Sequence, residues 1–262
     1  MKYKNIAIIA NDTESSLDRL RQIQSKYNFI ELSKEPTSIN KIDLIIVLGG
    51  DGFMLHCLHS YMHLNIPIYG INCGTVGFLL NHFDIENILE KLEKAEITVT
   101  YPLEMRANLI NGQIKTYLAI NEVSLFRSTN QAVKIQINID GNARLEELVC
   151  DGILLATPAG SSAYNSSVHG PILPIGSNIL ALTPISPFRP KRWAGAILPN
   201  TANIELIILD HENRPVNAVA DFIEVKHVKS VIIREKRDKP IRLLFDKNHS
   251  LEDRIIKEQF AY

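Results

Sequence analysis

Leu44-Ile45-Ile46-Val47-Leu48-Gly49-Gly50-Asp51-Gly52-Phe53-Met54-Leu55 is the stretch from which the rest of this chain can be read. Five aliphatic residues in succession suit a central parallel strand covered on both faces. Gly49, Gly50 and Gly52 follow at once, so the strand is expected to run into a sharp turn that a ligand can approach closely. A helix comes next, and its first amides carry the partial positive charge that suits a phosphate. One carboxylate, Asp51, interrupts this otherwise side-chain-free turn. It would repel phosphate oxygens unless it binds a metal, orients a hydroxyl or takes up a proton. The competing account is a plain strand-to-helix turn with an aspartate cap, which is a common junction.

Outward from this stretch, the first third of the chain alternates strand and helix. Ile6–Ala10 reads as a strand, Asp12-Thr13-Glu14-Ser15 as the cap of a helix to about Tyr27, and Ile66–Ile71 as a third strand. Asp84 is positioned to cap a helix ending at Lys94. Alternating βα units imply a parallel sheet with ligands at the carboxyl ends of its strands. Near Tyr101-Pro102 the pattern changes to β, with the turn dipeptides Asn111-Gly112 and Asp140-Gly141. Ala107–Ile110 and Gln113–Ile120 form a hairpin, and Val133–Ile139 alternates cleanly. Gly152–Ala156, Ile179–Thr183, Asn203–Leu209, Pro215–Ala220, Val228–Ile233 and Ile241–Phe245 follow as strands, and Leu251–Phe260 as a closing helix. The expected architecture is an α/β domain with a parallel sheet over residues 1–100 and an all-β-rich domain over 101–262, the last helix returning to the first domain.

The bulk composition removes several classes of function. The 262 residues are 45% hydrophobic and 22% charged with a net charge of −1, which argues against a nucleic-acid or anionic-membrane partner. No apolar run reaches the roughly 20 residues needed to span a bilayer. The opening apolar run stops at Asn11-Asp12 and reads as a strand rather than a signal peptide. Cys57, Cys73 and Cys150 are odd in number and widely spaced, so a reducing, cytoplasmic setting is expected and a disulfide framework is not.

Three further stretches carry possible chemistry. Gly70-Ile71-Asn72-Cys73-Gly74-Thr75-Val76-Gly77-Phe78-Leu79 is a second glycine-rich strand end. Asn121-Glu122 sets an amide beside a carboxylate at the end of an apolar run, a pairing able to grip a ribose diol, though a solvated strand end is the plainer account. Asp151 to Ser167 leads from a buried strand into Thr157-Pro158-Ala159-Gly160-Ser161-Ser162-Ala163-Tyr164-Asn165-Ser166-Ser167, rich in amides and hydroxyls able to read a base. There is no G-x-x-x-x-G-K-[ST], G-x-G-x-x-G or G-x-S-x-G motif. His59 and His63 have the spacing of zinc ligands, but Ser60 stands where a metalloprotease needs glutamate, so no metal site is assigned.

In these four stretches, in this order, the chain resembles the NAD kinase family of bacterial type from end to end. The Gly-Gly-Asp-Gly turn alone is shared with phosphofructokinases and lipid kinases; the Asn-Glu pair with Gly160-Ser161-Ser162-Ala163-Tyr164 narrows the choice. The resemblance implies ATP-dependent phosphorylation of the adenosine 2′-hydroxyl of NAD, with Mg²⁺ accompanying ATP. Asp51 matches the proton acceptor, Gly49, Gly50, Gly52 and His56 match positions near the phosphates, and Gly52 and Phe78 also match substrate contacts. Asn121 and Glu122 match the ribose-binding pair; Asp151, Ser162, Ala163, Tyr164, Asn165, Ser166, Ser167 and Ser186 match the lining of the nicotinamide and adenine ends. A homodimer or homotetramer and a site between the domains are implied as well. The chain departs from the family at Phe53 and Ser162, where threonine is frequent, at Phe222, where glycine is frequent, and in Arg189–Trp193. The alternatives are a lipid or other small-alcohol kinase on the same fold, or a non-catalytic NAD-sensing module.

Overall fold

The computed structural model describes residues 2–32, 41–74 and 77–247. They form two compact units, one running to Thr100 and resuming at Lys239, the other running from Tyr101 to Asp238.

The first unit is built on β1 (Ile6–Ala10), α1 (Glu14–Lys26), β2 (Ile30–Glu31), β3 (Leu44–Gly49), α2 (Asp51–Tyr61), β4 (Ile68–Asn72), α3 (Ile88–Lys94) and β5 (Glu96–Thr100). The sheet order is β2-β1-β3-β4, then the late strand Ile241–Phe245, then β5. All pairings are parallel except that of β5 with the late strand. All six residues of β3 are buried, as a strand covered on both faces demands. Thr13 caps α1 by accepting from the amide of Ser16, and Glu14 and Lys26 complement the helix dipole at its two ends.

The second unit contains β6 (Leu103–Leu109), β7 (Ile114–Ala119), β8 (Glu122–Arg127), β9 (Val133–Ile139), β10 (Asn142–Cys150), β11 (Gly152–Ala156), the helical turn α4 (Tyr164–Ser167), β12 (Ile179–Ile185), β13 (Ala196–Pro199), β14 (Ile204–Ile208), β15 (Val216–Ala220), β16 (Ile223–Val225) and β17 (Val228–Glu235). Two six-stranded antiparallel sheets result, β10-β9-β14-β17-β6-β7 and β13-β12-β11-β8-β15-β16. One buried cluster takes side chains from both sheets, including Met105, Ile135, Leu206 and Ile233 from the first and Val123, Leu155, Leu182 and Ala218 from the second. The chain passes from one sheet to the other at Ile120-Asn121, between β7 and β8.

Several expectations are corrected. The second unit ends at Asp238, not at residue 262, because the apolar strand Ile241–Phe245 pairs with β4 and β5. The segment expected as a closing helix, 251–260, lies outside the described residues. The helix expected from Asp84 starts at Ile88, since the Asp84 carboxylate accepts from the side-chain amide of Asn87 at 3.1 Å and holds a turn instead. Glu122–Arg127 and Asn142–Cys150 are strands that the sequence pattern did not declare; β10 is an edge strand whose solvent face hides its alternation. Among the described residues no helix is long and apolar enough to cross a membrane.

Asn81 fastens the late strand to the first unit. Its buried side-chain amide donates to the carbonyls of Gly70 at 3.0 Å and Leu244 at 2.9 Å, and its Oδ1 accepts from the amide of Asp246 at 2.9 Å. Asn81→Ala removes these three side-chain bonds, although Gly70 C=O keeps the backbone N–H of residue 81, and is expected to destabilise the protein by about 2–4 kcal/mol in chemical denaturation; an unchanged denaturation midpoint would contradict this role.

Candidate active site

In the first unit, the carboxyl ends of β1, β3 and β4 lie side by side. Asn11 N–H donates to Leu48 C=O at 3.0 Å and Cys73 N–H to Gly49 C=O at 2.9 Å, which joins the three strand ends. Asp51 is the first residue of α2, behind a Gly50 N-cap that has no side chain to offer. The Asp51 carboxylate accepts the backbone N–H of Phe78 on Oδ2 at 2.8 Å and that of Leu79 on Oδ1 at 3.1 Å. The two glycine-rich stretches are thereby tied together through this one side chain. Phe78 enters this arrangement through its backbone.

The three glycines of the turn differ in purpose. None has the positive φ expected of a sharp glycine turn, and Gly50 is ordinary extended backbone at φ −104° and ψ 177°. A Cβ on Gly49 would lie 2.8 Å from Cδ1 of Phe53, so this glycine makes room for the ring that replaces the family's threonine. A Cβ on Gly50 or Gly52 would meet nothing within 4 Å. Neither chain geometry nor packing accounts for these two; the open space beside them does. His56 is exposed on the same helix. Five residues of α-helix carry it about 7.5 Å along and roughly 140° around from Asp51.

In the second unit, Asn121 and Glu122 lie at the passage between the sheets. They are not the end of β7, as expected, but the start of β8. A Cβ on Gly160 would fall 2.2 Å from the carbonyl oxygen of Asn121, so only glycine lets the Thr157–Ser162 turn rest on this pair. Thr157 Oγ1 donates to Ile120 C=O at 2.7 Å, and Thr157 N–H to Asn121 C=O at 2.9 Å. Asp221 closes the other side, accepting the N–H groups of Ile120, Asn121 and Glu122. Asn121 Oδ1 and Glu122 Oε2 are buried with no partner among the described residues. Buried polar atoms left so are rare and call for a ligand or water. Burial, and after it the negative charge of Asp221, pushes the Glu122 carboxyl up to about 8. Burial, and then the charge of Glu122, raises the Tyr164 hydroxyl above its ordinary value.

The structure divides the remaining expected residues. Ser162, Ala163, Tyr164 and Ser166 are half-buried in the turn that follows Gly160, and Ser167 is exposed. Tyr164 stacks obliquely on Phe126, with ring centroids 5.7 Å apart. Asn165 is not a ligand-facing residue: its fully buried amide donates to Ser161 C=O and Pro171 C=O, and its oxygen accepts from Thr183 Oγ1. Asp151 and Ser186 are not brought to Asn121 and Glu122 within one chain. Gly152 is paired with Phe126 and with Ile185, whereas Glu122 is paired with Ala156. Asp151 therefore sits about five strand positions, roughly 17 Å, from Glu122. There it forms an ion pair with Arg127 at 2.7 Å.

Sequence reasoning missed Asp221 and Thr157 as holders of the pair. Asp221 acts across about 100 residues of chain, a contact no local motif announces. Phe222 in place of the family glycine costs the backbone nothing, because the left-handed residue of the turn is Asp221 at φ 52°. The unusual Arg189–Trp193 segment is anchored by a β-bridge between Arg189 and Val149 and by Trp193 packed on the main core. Cys57 and Cys150 are buried thiols pushed up to about 12, which makes both unreactive at neutral pH.

Comparison with known proteins agrees with the sequence resemblance. The ATP-NAD kinase N-terminal domain matches residues 5–97, and the ATP-NAD kinase C-terminal domain matches residues 120–236. NAD kinases of Rickettsia felis and Rickettsia canadensis are each 52% identical over 261 residues, covering 100% of both chains. Among solved structures, yeast NADH kinase complexed with NADH superposes with a TM-score of 0.80 at 22% identity, over 100% of this chain and 90% of that one. An NAD kinase from Archaeoglobus fulgidus in complex with ATP gives a TM-score of 0.75 at 24% identity, over 97% and 98% of the two chains. The two-domain fold is the one these kinases share. The chain belongs to the ATP-NAD kinase family.

The raised Glu122 carboxyl has a consequence for stability. The folded state binds this proton more tightly than the unfolded chain, so stability is expected to fall as pH rises from about 4.5 to about 8 and to level off on either side. Glu122→Gln should flatten that limb of a denaturation-versus-pH curve; an identical curve in the variant would contradict the assignment.

Proposed function

We propose that this chain performs its family's reaction, phosphorylation of NAD to NADP, by moving the γ-phosphoryl group of ATP onto the adenosine 2′-hydroxyl. The observation that carries the acceptor side is the buried, unpartnered Asn121 Oδ1 and Glu122 Oε2 beside the Tyr164 turn. An amide oxygen together with a protonated carboxyl offers an acceptor and a donor to a pair of ribose hydroxyls. The donor side rests on Gly50 and Gly52, whose open flanks leave the first amides of α2 accessible to phosphate oxygens.

Asp51 orients the attacking hydroxyl and accepts its proton as the new P–O bond forms and the bond from the γ-phosphorus to the bridging oxygen breaks, releasing ADP. Its hold on the amides of Phe78 and Leu79 fixes the carboxylate before substrate arrives. Such positioning, more than covalent chemistry, governs phosphoryl transfer. Among the described residues no group of three or more His, Cys, Asp or Glu side chains is gathered to hold a cation. A divalent ion bound with ATP would supply positive charge that offsets repulsion between Asp51 and the phosphate chain. Phe78, Ser162, Ala163, Tyr164, Ser166 and Ser167 belong to the same reading as substrate-lining positions, and Asn165 supports them from within. Self-association as a homodimer or homotetramer is part of the proposal, with the exposed Ile197 on edge strand β13 as available apolar surface.

With NAD and MgATP, Asp51→Asn is expected to lose about 10²–10⁴-fold in kcat while still binding NAD by calorimetry. Turnover at the wild-type rate in a folded Asp51→Asn variant would sink the assignment. Gly52→Ala tests the donor side separately. Its methyl meets no protein atom, so the variant should fold at least as stably as the parent, yet show a raised KM for ATP; an unchanged KM for ATP would remove Gly52 from the phosphate site.

A further inference from the structure

Asp221 stands in the tight turn between β15 and β16, far along the chain from the residues it touches. Its Oδ2 accepts the N–H of Ile120 at 2.7 Å, and its Oδ1 accepts those of Asn121 at 2.9 Å and Glu122 at 3.1 Å. Its own N–H donates to the carbonyl of Glu122 at 3.1 Å. Thr157 takes the two carbonyls that remain, those of Ile120 and Asn121. All six backbone polar groups of Ile120, Asn121 and Glu122 are therefore held by two side-on residues. To make these bonds Asp221 adopts a left-handed backbone, φ 52°, which residues other than glycine seldom take. Meanwhile the side chains of the gripped segment keep Asn121 Oδ1 and Glu122 Oε2 buried and unpartnered. A backbone satisfied completely beneath side chains left unsatisfied is the arrangement of a preorganised recognition element.

We propose that Asp221 is a positioning residue for the dinucleotide: with Thr157 it locks the Ile120–Glu122 backbone, so that the Asn121 and Glu122 side chains are held where they meet the ribose hydroxyls. This rests on the reading that Asn121 and Glu122 contact the dinucleotide. Among the described residues, the titratable groups that act on or with Glu122 are the Asp221 carboxylate from the β15–β16 turn and the Tyr164 hydroxyl from α4. Ala156, its partner on β11, supplies an apolar neighbour. Burial is the larger cause of the raised Glu122 carboxyl and Asp221 the second, so replacing Asp221 should lower the Glu122 titration part of the way. Asp221 need not touch substrate; it acts through the two residues it holds.

Asp221→Asn keeps the shape, removes the charge and turns one acceptor into an NH₂ group that faces backbone N–H donors. The expected result is a kcat/KM for NAD lower by on the order of 10²-fold, as misplacement of a binding group produces, with the KM for ATP unmoved. In carboxyl-labelled protein, carbon-13 NMR should show the Glu122 titration moving down from about 8. A folded Asp221→Asn protein with the parent's KM for NAD, or with Glu122 titrating where it did before, overturns the proposal. Thr157→Val decides the backbone part even where Asp221→Asn does not fold: it should raise the KM for NAD while leaving the Glu122 titration in place, and an unchanged KM refutes the grip. Glu122→Gln and Asn121→Ala keep the two readings apart. If neither alters the KM for NAD, the pair is not a dinucleotide site, whereas the Asp221→Asn titration still reports whether Asp221 governs Glu122.

Discussion

The two hydrogen bonds from the amides of Phe78 and Leu79 to the Asp51 carboxylate hold the first unit's chemistry together. On the proposed reading of the turn as a phosphate site, a carboxylate at its mouth is unfavourable in isolation, because it adds negative charge where negative charge will arrive. Two backbone donors and the N-terminal end of α2 offset that cost. The same bonds fix how the second glycine-rich stretch lies against the first. The strands beneath have little freedom to disagree, since β3 is buried throughout and paired on both sides.

A related logic operates in the second unit, with the roles of backbone and side chain exchanged. At Asp51 a side chain is immobilised by backbone amides. At Ile120–Glu122 a stretch of backbone is immobilised by the side chains of Asp221 and Thr157. In each unit, taken by itself, a polar element is fixed by hydrogen bonds from elsewhere in that unit. Gly160 shows how narrow the tolerance is, since its Cα lies against the backbone of Asn121 with no room for a methyl group.

Much of this was legible in the sequence. Leu44–Gly49 announced a buried strand because six enclosed positions in a row admit only apolar residues and glycine. Val133–Ile139 announced a half-buried one because one face alternates. The Gly-Gly-Asp-Gly turn, the Asn-Glu pair and the Tyr164 segment were each visible as local patterns. What stayed hidden is long-range. Nothing near Asp221 points to Ile120, and nothing near Ile241 says that this strand inserts between β4 and β5 of the first unit. Strand register was equally invisible: only the pairing of Gly152 with Phe126 reveals that Asp151 lies at the far end of the sheet from Glu122. Of the two reasons the sequence offered for the glycines of the turn, a left-handed backbone is not used, whereas Gly50 and Gly52 do face open space and Gly49 makes room for Phe53.

The central claim is that the phosphoryl group goes to one particular hydroxyl of NAD. The direct measurement is phosphorus-31 and proton NMR of the product formed by the full-length protein from NAD and MgATP. The account predicts a single monophosphorylated dinucleotide carrying the new phosphate on the adenosine 2′-oxygen. Phosphate on any other oxygen, or ATP consumed with NAD left unmodified, would contradict it.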